Sequence, residues 1–61
     1  MTNFNTKQEL RKALEKVNMA IVAIREELHW ENEYSSRIEL MARQNYLLAE
    51  EKRMQAALAA M

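Results

Sequence analysis

Residues 10–28 read LRKALEKVNMAIVAIREEL, and their apolar positions decide the fold. Leu10, Leu14, Val17, Ile21, Ile24 and Leu28 recur at alternating steps of four and three, the spacing of one seam along an α-helix. Such a seam is stable only against a second apolar surface. Continuing the same count past Leu28 reaches Glu31, Ser35, Ile38, Ala42, Asn45, Ala49 and Lys52, of which only Ile38 is a strong core residue. The phase is lost there, so the partner is expected to be a second helix that starts a new phase.

The boundaries follow from weak signals, because the chain contains neither Gly nor Pro and is rich in good helix formers. Thr6 followed by Glu9 has the pattern of a capping box and sets the expected start of the first helix. Phe4, just before it, is expected to lid an apolar end. Residues 31–36, ENEYSS, are the most ready to leave a helix, with Asn32 suited to a left-handed terminal position. Ser36 with Glu39 repeats the capping-box pattern. The expected fold is therefore all-α, an antiparallel two-helix hairpin forming one domain over residues 1–61. Its first helix covers about residues 6–31, its turn about 32–35 and its second helix about 36–60. The alternative is one continuous helix, on the order of 80 Å long.

Two features favour the hairpin. The two helices are nearly equal in length, so folding at the turn covers both seams end to end. The first helix is also basic early (Lys7, Arg11, Lys12, Lys16) and acidic late (Glu26, Glu27, Glu31), the wrong order for its own dipole. An antiparallel second helix would set Arg37 and Arg43 near the late acids, and Glu50 and Glu51 near the early bases. Exposed pairs contribute about 0.2 to 1 kcal/mol each, so charge would select orientation more than it stabilises.

The second helix carries two apolar lines. Leu40, Leu47, Met54, Leu58 and Met61 form one, completing the hairpin core with the seam of residues 10–28; Tyr34, Ile38, Met41 and Leu48 form another about a third of a turn away. Two lines imply two neighbours, the second being a helix of another copy. A homodimer is expected, most simply a four-helix bundle. Met19 and Ala23 on the first helix, with Ile38, Met41 and Leu48 on the second, are the candidate self-association residues. Arg37, Gln44 and Glu51 lie between the two lines of the second helix, where they would either pair across the dimer axis or remain solvated.

Composition narrows the function. At 61 residues a lone hairpin buries only about 60% of its unfolded surface, and with no Cys there is no disulfide or thiolate site to reinforce it. Nine basic and nine acidic residues cancel, which gives no overall field to attract nucleic acid. The cluster Lys7, Arg11, Lys12 and Lys16 is interleaved with Glu9 and Glu15 and lacks stacking aromatics; it carries the alternative of a small nucleic-acid-binding regulator. The longest apolar run, residues 19–24, is too short to span a bilayer, and no secretory signal is visible. A cytoplasmic protein without a membrane partner is expected.

No cofactor, metal or catalytic constellation is expected. The single His29 lacks the convergent ligands or pocket that a metal or acid–base site needs. Trp30 and Tyr34 near the turn, and Tyr46 on the second helix, are the candidate partner-binding residues, since aromatics offer large rigid area with a polar tip. For Trp30 and Tyr34 core or dimer contacts are the first reading and an exposed partner-binding pair the second. Met19, Met41 and Met54 read first as core filler.

The chain's size, its lead MTNFNT, its hairpin and residues 29–36, HWENEYSS, resemble the small early proteins of lambdoid phages, in particular the short reading frames between the recombination and excision genes. The resemblance covers the whole chain. It implies modulation of phage development or host physiology through protein contacts, in the host cytoplasm, and carries over no catalytic residues. Together these readings point to a non-enzymatic interaction module.

Overall fold

The seam of residues 10–28 lies on one uninterrupted helix, α1 (Lys7–Trp30, 24 residues), in a computed structural model that describes residues 6–61. Phe4 and its expected lid contact lie outside the described residues. Thr6 is the N-cap: its backbone is extended (φ −132°, ψ 154°) and its hydroxyl oxygen accepts from the Glu9 N–H at 3.1 Å. That bond satisfies one of the amides a helix start leaves free.

The chain reverses over residues 31–33 and returns as α2 (Tyr34–Ala60, 27 residues), giving an antiparallel helical hairpin. The turn differs from the expected one. No described residue has a positive φ, so Asn32 is not left-handed. The reversal is made between two extended residues, Glu31 (φ −78°, ψ 123°) and Glu33 (φ −79°, ψ 130°), with the Glu33 N–H donating to a Glu31 carboxylate oxygen at 3.1 Å. The second helix also starts two residues before Ser36. Glu33 is its N-cap, and the Glu33 carboxylate accepts from the Ser35 hydroxyl at 2.8 Å and the Ser36 hydroxyl at 3.5 Å. Ser36 therefore serves the cap from inside the first turn, and the carboxylate sits at the positive end of the helix dipole.

The core is a single seam between the two helices. Leu10 and Ile21 are almost completely buried, 1% and 2% exposed, with Ile24 and Leu40 the other buried apolar side chains. Leu14, Val17 and Leu28 on α1, and Leu47, Met54 and Leu58 on α2, are half-buried between them. Two helices side by side make a layer one helix thick, with extents of 42 × 20 × 14 Å. In such a layer a side chain is covered from one direction only, which is why full burial is confined to the line where the helices touch. Among the described residues no helix is long and apolar enough to cross a membrane.

Candidate interaction surfaces

The closed end of the hairpin is held by a side chain that the sequence reading gave a different neighbour. Arg37, in the first turns of α2, reaches back with Nη1 to donate to the Leu28 carbonyl at 2.6 Å and to the Glu31 carbonyl at 2.9 Å. Carbonyls at a helix C-terminus lack intrahelical donors and carry the negative end of the dipole, so a guanidinium there answers both. Arg37→Met is expected to remove these bonds at a cost of about 1–2 kcal/mol, lowering the midpoint of thermal unfolding by about 5–10 °C. Arg37→Lys should recover only part of the loss in the same melting measurement, because an ammonium lacks the planar fork.

The expected charge pairing across the hairpin is not what forms. Arg43 borders a depression of about 190 Å³ together with Glu27, Glu31, Ser36, Glu39 and Leu40, yet its guanidinium pairs along its own helix with Glu39 at 3.6 Å. Glu50 likewise pairs within α2, with Arg53 at 3.5 Å. Neither ion pair found between described residues joins the two helices. The i,i+3 and i,i+4 partners are already positioned by the helix itself, whereas a cross-helix pair must also order two long side chains. Among the described residues no ion pair joins the charges of α1 to α2, and Arg37 takes backbone carbonyls of α1 and the turn rather than acids.

Outside the seam lie three apolar features. At about 100° per residue, Met19, Val22, Glu26 and Trp30 fall on the side of α1 directly opposite α2, with Ala23 beside them. Met19 is 66% and Trp30 77% exposed, and shallow open depressions run along this face between Asn18 and Glu31. The His29 ring meets Trp30 edge to face, centroids 5.0 Å apart at 87°. The second feature is on α2, where Tyr34 (77% exposed), Ile38, Met41 and Leu48 line up about a third of a turn from the core. The third is an open groove of about 440 Å³ between the helices, lined by Ile24, Glu39, Ala42, Arg43, Tyr46 and Leu47.

Of the candidate self-association residues, Met19, Ala23, Ile38, Met41 and Leu48 are exposed, and Gln44 and Glu51 are half-buried along the edge of the intramolecular seam. Trp30 and Tyr34 flank the turn and Tyr46 opens onto the groove; no element brings these three into one patch. Lys7, Arg11, Lys12 and Lys16 are exposed but spread over about half of the circumference of α1. No group of His, Cys, Asp or Glu suited to a metal ion occurs among the described residues.

Compared with protein-family models, curated proteins and solved structures, the chain matches none.

Arg37 is the residue whose role sequence reasoning missed. The signal that could have found it is the acid-rich end of α1, whose last turn contains no Lys or Arg to meet the terminal carbonyls. The first long cation of the next helix is then the natural cap.

Proposed function

We propose that this chain is a non-enzymatic protein–protein interaction module, a helical hairpin that associates with a second copy of itself and offers its remaining apolar surface to another protein. One observation carries the reading: among the described residues nine large apolar side chains stand exposed, against four that are buried. Scattered exposed apolar residues are ordinary, but here most fall into ordered stripes along helices that are already folded. A preformed helical surface of this kind recognises other helices through anchors spaced by three and four residues. The resemblance to small early proteins of lambdoid phages makes a host or phage regulatory protein the expected partner and the host cytoplasm its place of action.

Sedimentation of the purified chain is expected to show a concentration-dependent dimer at micromolar concentration. A stable monomer across that range would overturn the self-association. The other class of function, a nucleic-acid-binding regulator, rests on the exposed bases of α1; binding of DNA at low salt that collapses steeply as salt is raised would favour it instead.

A further inference from the structure

We propose that the second copy docks on the outer face of α1, antiparallel to it, with a two-fold axis passing beside residues 21 and 22. The proposal rests on the self-association reading above and assigns it one surface and one orientation.

The face lies opposite α2, so nothing in the hairpin covers it. Its apolar residues Met19, Val22 and Trp30 are strongly exposed, and the small Ala23 beside them allows close helix approach. Its charges are sorted along the axis. Lys12 and Lys16 stand on the early half of this face with one acid, Glu15, between them, and Glu26 and Glu27 on the late half with only His29 beside them, so the early half is net basic and the late half net acidic. Among the described residues no ion pair answers this polarity, since the two that form both run inside α2. A second α1 running antiparallel answers it.

With the axis beside residues 21 and 22, the pairs can be followed by position on the helix. Val22 meets its symmetry mate, and Met19 packs on Ala23 of the other copy. Lys16 faces Glu26 and Glu27, Glu15 faces His29, and the aliphatic stem of Lys12 crosses the Trp30 ring, where its ammonium gains a cation–π contact. Each pair occurs twice because a two-fold contact is self-complementary. A parallel arrangement would instead stack Lys16 on Lys16 and Glu26 on Glu26. The stripe on α2 has a poorer complement: Lys52 lies on its line, and of the flanking ridge Arg37 is already engaged by the Leu28 and Glu31 carbonyls, which leaves Glu51 as the one acid beside it. The contact runs from Lys12 to Trp30, about 28 Å of helix at one helix diameter, a small interface that makes a reversible dimer.

The test is a charge swap read by sedimentation equilibrium, with circular dichroism as the check that each variant folds; all the residues changed are exposed. Lys16→Glu alone, or Glu26→Lys with Glu27→Lys, is expected to weaken the dimer by about tenfold or more, since each lost attraction becomes a repulsion twice over. Combining these three substitutions in one chain, with Lys12 kept on Trp30, should restore it. Because the chain has no Cys, Val22→Cys should oxidise to a covalent dimer while Met41→Cys stays monomeric under the same conditions. Failure of the combined variant to recover, or faster cross-linking through Met41→Cys than through Val22→Cys, would overturn the assigned face while leaving self-association standing. A wild-type chain that stays monomeric at high concentration would remove both.

Discussion

Ile21→Asp is expected to unfold the hairpin. Ile21 is 2% exposed and sits at the middle of the seam, where α2 excludes water from it. The substitution removes about 1.5–3 kcal/mol of apolar burial and places a carboxylate inside the dry seam, a desolvation penalty of several kcal/mol more. A domain of 61 residues has a total stability of about 3–9 kcal/mol, so the combined cost matches or exceeds it. Once apart, helices of this length are only marginally helical in water. Circular dichroism at 222 nm should therefore show a large loss of helical signal at 25 °C and no cooperative melt. An Ile21→Asp protein with the helicity and melting temperature of the parent would show that the seam is not what holds the helices together.

Leu40→Ala is expected to be the most damaging simple truncation on α2. Leu40 is the one α2 side chain buried in the seam, beside Glu27 and Glu31 toward the closed end, and its deletion leaves a cavity that a one-layer structure closes only in part. The expected cost is about 2–4 kcal/mol, seen as a fall in the urea midpoint with an unchanged slope. Ile38→Ala supplies the contrast. Ile38 is half exposed on the outer side of the same helix, so its truncation should shift the midpoint by about 0.5 kcal/mol or less at concentrations where the chain is monomeric. Equal effects of the two substitutions would mean that α2 faces α1 with a different side.

The first helix was legible because its signals are local and redundant. The four-and-three spacing of Leu10 to Leu28 fixes one face, and Thr6 with Glu9 marks the start by a bond that the structure contains. Loss of phase after Leu28 likewise announced a second helix. The turn was less legible for a physical reason. A reversal through a left-handed residue advertises itself by Gly or Asn, whereas one built from extended Glu31 and Glu33 uses a backbone region that every residue type can occupy. Ser36 then misplaced the start of α2, since a hydroxyl three residues before a Glu looks the same whether it caps the helix or donates to a cap carboxylate. The surfaces divide in the same way. Side-chain periodicity gave the stripes of α1 and α2, but the role of Arg37 depends on a contact nine residues away in the chain, which no helical period encodes.

The composition of the turn bears on the denatured chain as much as on the folded one. A glycine hinge would leave the unfolded ensemble with extra freedom to surrender at each folding event, worth about 0.4–1 kcal/mol per residue. Here residues 31–33 are Glu, Asn and Glu, with Glu31 and Glu33 in extended backbone that an unfolded chain already populates. The reversal is thus partly prepared before the helices meet, and a chain with so thin a core draws some of its stability from conformations its unfolded state never had.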